Sequence, residues 1–417
     1  MYHLSVSLLG MVSLLSVAVF TKSLDSVTSE QTAVEAVLKD SSKFADEYIQ
    51  TIGNIARSSF AVSPFGINLV LFLISFGLDG YLKARVNYML SRNPNNLDKN
   101  GYGNVIDQLN EQSALRIANS FFVDSALNLK LKFISAIPKA FHLEVHNTSF
   151  ANTVKLIEKM NKWCEKHTGC RIANRLKLAD VVLNKHFSVM NAVSFEGTWL
   201  QKFDITETRL RPFYFNNGTV KELPTMRISG KFRTKMTPLY SIVELPLKRD
   251  VRHNIDISMV VVFPTNKMSL STFKIVMRQY VSNRPAQEEI NIELPRFVIP
   301  YRSTLKKSLE KLGLNGLFEP NAKDFLGRTN YMGGGAIFSD DMEQTNVFYV
   351  DEEGVEAVSA IGCNAVRRRK QSQWTAPNHI RDESKTNKLP NFIVNRPFYA
   401  MITTSNNINL FTVSFGR

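Results

Sequence analysis

Cysteine is scarce: three residues in 417, too few for the disulfide framework that holds small secreted domains together. Cys164 and Cys170 have only His167 nearby as a third ligand, so no metal site is expected. The chain also lacks HExxH, a GxSxG elbow, and RNP, zinc-finger and heptad patterns. Those absences argue against a metalloprotease, an α/β-hydrolase, a nucleic-acid binder and a coiled coil. Ser303-Thr304-Leu305-Lys306 spells SxxK, but no KTG or SDN partner accompanies it, so it reads as the start of an amphipathic helix. No catalytic residue and no cofactor are expected, and the chain is not read as an enzyme. Beyond the first twenty residues no apolar run reaches ~18 residues, the length a membrane span requires. Acidic residues are outnumbered, 37 against 51 Lys and Arg, giving a formal charge of +14. Such a surface attracts polyanions, an anionic glycan among them.

The first twenty residues, MYHLSVSLLGMVSLLSVAVF, read as a signal peptide cut near Ala18 to Ser23. The mature protein is therefore expected to be secreted and extracellular, with no membrane attachment. Asn147-Thr148-Ser149 and Asn217-Gly218-Thr219 are glycosylation sequons that matter in that compartment, with Asn147 and Asn217 as acceptors. Within WCEKHTGC, a helix ending near Thr168-Gly169 followed by a turn brings Cys164 and Cys170 within the ~7 Å that a disulfide requires. Two free thiols are the alternative, and Cys363 is left over in either case.

Apolar residues fall at helical spacing over residues 28–58, and Ser63-Pro64 opens a second helix that stops at Gly77 to Gly80. Residues 150–170 form a third, amphipathic helix. From about residue 180 the pattern changes to short β-rich runs such as FSVMNAVSF, ISMVVVFP and NLFTVSFG. Helices first and strands later, with some interleaving, indicate an α+β fold and a single domain over 28–417.

One stretch stands apart. Glu352 to Lys370, EEGVEAVSAIGCNAVRRRK, is low in bulk, has no proline, and ends in four consecutive cations. That composition suits a strand able to live outside a sheet, with a protease-cleavable basic site at its far end. It reads as a bait loop, followed by a polar segment 371–391.

Several segments occur together in order. They are Ser63-Pro64-Phe65-Gly66-Ile67, Ile117-Ala118-Asn119, the Asn161/Trp163/Thr168 helix and Asn191 through Trp199 (NAVSFEGTW). Phe203-Asp204, Thr208 and Phe213 follow, then Leu294-Pro295-Arg296-Phe297, Leu312-Gly313, Ala322 to Phe325, Arg396-Pro397-Phe398 and Leu410-Phe411. Together they resemble the serpin superfamily from about residue 30 to the end. The resemblance implies three β-sheets, about nine helices and an exposed reactive-centre loop spanning about 352–391.

It further implies a loop hinge at Glu352, Glu353, Gly354, Val355, Glu356 and Ala357, and a sheet-opening cluster of Ser63, Asn191 and Gln344. Counting along the loop at the family's spacing, as the resemblance implies, places the scissile bond between Arg368 and Arg369, with Arg367, Arg369 and Lys370 offering neighbouring registers within one or two residues. The implied partner is a trypsin-like serine protease, trapped by suicide cleavage and insertion of the loop as a new strand, with the inhibitor a monomer. Departures from the family pattern are Val355 for Thr or Ser, Gly66 for Ser, Gln344 for His, and Val413 for Gly. Slow insertion of the bulky Val355, Val358 and Ile361 would favour the alternative, a non-inhibitory serpin acting as substrate-type decoy, carrier or storage protein.

Insertion demands that alternate loop residues be small or apolar. One face reads Val355, Ala357, Ser359, Ile361, Cys363, Ala365 and is expected to enter the interior. The other, with Glu356, Val358 and Ala360, is expected to face solvent.

Overall fold

A computed structural model describes residues 32–53, 55–56, 58–78, 80–90, 97–111, 114–125, 141, 143–168, 187–249, 255–318, 342–361 and 389–417. Apolar residues at helical spacing make α1 (32–53), which buries Val37, Phe44, Tyr48 and Ile52. After β1 (Phe60–Val62), Ser63 caps α2 (Pro64–Ser75), its hydroxyl accepting from the Gly66 N–H at 3.3 Å. Pro64 sits in the first turn, where a missing N–H costs nothing. Every residue of α2 is buried, which marks it as the central rod of the core.

The chain continues through α3 (Gly80–Met89), α4 (Leu97–Asn110), β2 (Leu115–Asp124), β3 (Leu143–Thr148), α5 (Thr153–Thr168) and β4 (Phe187–Thr198). Next come β5 (Arg209–Tyr214), β6 (Val220–Met236), β7 (Tyr240–Pro246), β8 (Ile257–Pro264), α6 (Leu270–Ser282), β9 (Gln287–Pro295) and β10 (Phe297–Thr304). The order closes with α7 (Lys306–Lys311), β11 (Glu343–Val350), β12 (Gly354–Ile361), β13 (Asn391–Ile393), β14 (Phe398–Thr404) and β15 (Asn409–Phe415). Ser303 and Thr304 of the SxxK match thus end strand β10, and the helix begins only at Lys306. Seven α-helices are described, against about nine expected.

The strands form one six-stranded sheet, β10-β11-β12-β4-β2-β3, and one nine-stranded sheet, β1-β15-β14-β8-β7-β6-β9-β13 with β5 paired to β6. Three sheets were expected. The second and third are hydrogen-bonded into one because β6 is 17 residues long. Its first part pairs with β5, its middle with β9, and its end with β7. Helix α2 is wedged between the sheets, against β4, β12 and β15. On the opposite face of the six-stranded sheet lies α5, packed on β2 and β4.

Candidate functional site

The segment read as the start of an exposed loop is here a central strand. β12 pairs antiparallel with β11, from Val350↔Val355 to Gln344↔Ile361, and with β4, from Gly354↔Thr198 to Ile361↔Asn191. Its backbone is therefore hydrogen-bonded on both flanks. Val355 and Ala357 face inward and join the main core.

The other face reaches solvent only in part, at Glu356, and not at Val358 and Ala360. Val358 and Ala360 are buried in a second cluster with Phe122, Met190 and Ala192 of the sheet and Leu156, Met160, Trp163 and Cys164 of α5. The reason is that α5 roofs this part of the sheet, so both faces of the entering strand must be small or apolar. Glu356 is half-buried, in register with Glu196 and Tyr349.

The hinge is held by a local turn and a long-range clamp. Asp351 turns the chain by accepting the N–H groups of Glu353 (2.9 Å) and Gly354 (3.1 Å). Trp199 donates its indole N–H to the Asp351 carbonyl at 2.8 Å and its backbone N–H to the Glu353 carbonyl at 3.0 Å. The Phe203 N–H reaches the Glu352 carbonyl at 3.2 Å.

The buried Glu352 carboxylate accepts the Thr208 hydroxyl at 2.7 Å and lies 3.3 Å from Arg296 Nε, itself only 9% exposed. Arg296 also donates to the Tyr349 hydroxyl at 3.4 Å. Burial pushes the Tyr349 phenol above its ordinary range, opposed by the arginine. Glu353 points outward and pairs with Lys202.

A polar cluster lies at the level where β12 ends. Gln344 donates Nε2–H to the Ser63 carbonyl at 3.1 Å, and its Oε1 accepts the Ser63 N–H at 3.3 Å and Asn346 Nδ2–H at 3.1 Å. Asn191 donates to Asn119 Oδ1 at 3.0 Å, and Asn119 in turn donates to the Phe141 carbonyl at 3.2 Å. Ser63 and Gln344 are thus hydrogen-bonded to each other, whereas Asn191 bonds to Asn119 in a separate set. Gly66 leaves room beside Asn191: a Cβ there would lie 2.7 Å from Asn191 Oδ1, an atom that has no hydrogen-bond partner.

Arg368, Arg369, Cys170, Cys363 and residues 1–20 lie outside the described residues. Cys164 is disulfide-bonded, and α5 ends at Thr168, directly before Gly169. Asn147 is exposed on the edge strand β3. Asn217 lies in the β5–β6 turn, where its Oδ1 accepts from the Thr219 hydroxyl at 2.7 Å and the Thr219 N–H at 3.0 Å. Among the described residues no three His, Cys, Asp or Glu side chains are placed to hold a metal, and no helix is long and apolar enough to cross a membrane.

Arg296, Thr208, Asp351, Asn119 and Asn346 are site residues that sequence reasoning did not single out for a role. Arg296, Thr208 and Asn119 stand inside segments that carry the resemblance, which was the available signal. Asp351 and Asn346 had none.

A family profile described as Serpin (serine protease inhibitor) matches residues 39–415. The chain is 24% identical to neuroserpin of Homo sapiens over 326 residues, covering 73% of this chain and 77% of the relative. It is 26% identical to glia-derived nexin of Mus musculus over 373 residues, covering 84% and 86%. Among solved structures, cleaved Serpin 42Da matches with a TM-score of 0.77 at 23% identity, covering 92% of this chain and 99% of that one. Native protease nexin-1 with heparin matches with a TM-score of 0.72 at 22% identity, covering 91% and 99%. The sheets, the inserted strand and the match over residues 39–415 agree: this chain belongs to the serpin family.

Proposed function

We propose that this serpin is a secreted inhibitor of trypsin-like serine proteases, acting by suicide cleavage of the 352–391 loop. The observation that carries this reading is β12, which fits between β11 and β4 in register with both and brings no fully buried charge with it. Val355 and Val358 are each 2% exposed. Their bulk is accommodated, which favours inhibition over the decoy, carrier or storage alternative.

In this reading the protease serine attacks the Arg368 carbonyl, the amine of Arg369 leaves, and an acyl-enzyme remains on Arg368. The guanidinium suits a specificity pocket with an acidic floor. Each further residue that enters the sheet gains backbone bonds on two flanks, which draws the acylated end after it. The inhibitor is consumed in the process, so it is not an enzyme, and it acts as a monomer.

Residues 1–20, exposed Asn147 and the exposed Asn217 turn support secretion with glycosylation at both sequons. The end of α5 at Thr168 supports Cys170 as the disulfide partner of Cys164. The net charge of +14, and a family relative solved with heparin, support an anionic glycan as a second partner.

The test is to mix the secreted protein with trypsin and run a denaturing gel. A covalent band of summed mass is expected. Complete cleavage near Arg368 with no such band would overturn the inhibitory reading.

A further inference from the structure

A cluster on the front of the molecule takes no part in loop pairing. Glu144 and His146 stand on the edge strand β3, and Lys166 and His167 on the last turn of α5. One carboxylate serves all three partners. Glu144 Oε1 lies 3.0 Å from His167 Nε2 and 3.2 Å from Lys166 Nζ, and Oε2 lies 3.4 Å from His146 Nε2. Both imidazole Nε2 atoms are buried and, although close to the carboxylate, neither is hydrogen-bonded to it; Lys166 Nζ is.

The rings are wedged as well as paired. His146 stacks on Phe122 with centroids 4.5 Å apart, and His167 lies 4.8 Å from Trp163. Phe122 and Trp163 belong to the cluster that encloses Val358 and Ala360 of β12. The cluster therefore ties α5 to the sheet at the end of the helix, next to the residues that roof the entering strand. Lys159, bonded to the Thr148 hydroxyl at 3.3 Å, is a second tie toward the other end.

We propose that Glu144, His146, Lys166 and His167 form an acid-sensitive latch, which seats α5 on the sheet at neutral pH and lets it lift when His167 takes up a proton. The charged groups acting on His167 are Glu144 and His146 from β3 and Lys166 from its own helix. The cluster lining contributed by β2 and β12 is uncharged: Phe122, Val358 and Ala360.

Burial holds His167 below its ordinary range, helped by Lys166 and His146 and opposed by Glu144. A lifted helix frees the ring to bind a proton at the ordinary value of 6.5. The contribution of His167 to the seated helix is thus complete above that pH and is lost as the pH falls from it through the lower value of the seated ring. For Glu144, burial is outweighed by Lys166, His167 and His146, so its carboxyl is held low. Its contribution is also lost on acidification, at lower pH than the histidine's.

Val358 and Ala360 lie directly beneath α5, so a strand entering or leaving this position meets the underside of the helix. A lifted α5 lowers that obstacle, and acid therefore speeds loop movement. The inference rests on loop insertion but not on protease inhibition.

The test is amide hydrogen exchange on the intact secreted protein at pH 7.5 and 5.5, corrected for the intrinsic pH dependence of exchange. Protection of residues 153–168 is expected to fall by roughly threefold or more at the lower pH, with β14 and β15 unaffected. In His167→Gln the pH response of α5 should vanish. An unchanged response in His167→Gln, or none in the parent protein, overturns the latch. If His167→Gln does not fold, NMR titration of the parent protein decides: a His167 ring titrating in the ordinary histidine range overturns it, and one titrating lower supports it. Exchange does not report on protease trapping, so failure of this inference and failure of the inhibitory reading are separable.

Discussion

Gly354 and Gly197 approach so closely across the β12–β4 pair that a Cβ on Gly354 would lie 1.9 Å from the Gly197 carbonyl oxygen. The obstacle is backbone, so no rotamer change relieves it. Gly354→Ala must therefore push β12 away from β4 at the first inserted residue. The expected penalty to the inserted form is about 1–3 kcal/mol. Thermal unfolding before and after trypsin cleavage measures it: the rise in midpoint on cleavage should be smaller in Gly354→Ala than in the parent.

Arg296 is the charge partner of the buried Glu352. Arg296→Met leaves the Glu352 carboxylate enclosed with only Thr208 as a hydrogen-bond donor, a change that costs about 3–5 kcal/mol for buried pairs. The double variant Arg296→Met/Glu352→Leu removes both charges and should recover most of that loss. Urea unfolding midpoints of the three proteins check both statements. A single variant as stable as the parent would contradict the clamp.

Ser359 is fully buried on β12 opposite Asn346, and its hydroxyl has no hydrogen-bond partner. Ser359→Ala removes an unsatisfied polar group and should be neutral or stabilise the inserted form by about 1 kcal/mol. Ala360→Glu tests the same strand in the opposite sense by placing a carboxylate beneath α5. It should block full insertion, and trypsin should then cleave the loop without a lasting covalent complex.

Arg368→Glu should strongly reduce the trypsin complex and move cleavage to Arg367 or Arg369, because a carboxylate cannot enter a pocket with an acidic floor. Mass spectrometry of the denatured parent reaction should show a peptide spanning residues 369–417, which stays held in the sheet through β14 and β15 until the protein unfolds. A product starting at Lys370 or Arg368 instead moves the bond by one position and changes which arginine must be replaced.

Much of the site was legible because it rests on local chemistry. Ser63-Pro64 signalled a capped helix start, and the absence of charge at Val355, Ala357 and Ser359 signalled an insertable face. What could not be read was tertiary. The burial of Val358 and Ala360 depends on where α5 docks, and no property of the loop sequence encodes a roof supplied by another helix. The Glu352–Arg296 pair joins positions far apart in the chain, so only the folded sheet brings them together. The joining of two expected sheets follows from the length of β6 and its three successive partners, which a strand pattern alone does not specify.

With β12 in place, the six-stranded sheet is one unbroken ladder from β10 to β3. An edge strand can peel away one bond at a time. A central strand leaves only if two rows of hydrogen bonds and the contacts beneath α5 are lost together. The inserted form therefore behaves as a ratchet. Its lifetime is set by the rate of a large cooperative opening rather than by an equilibrium with the loop-out form. Under the inhibitory reading proposed above, each molecule is used once, and the amount of protein present, rather than its affinity, then limits how much it can do.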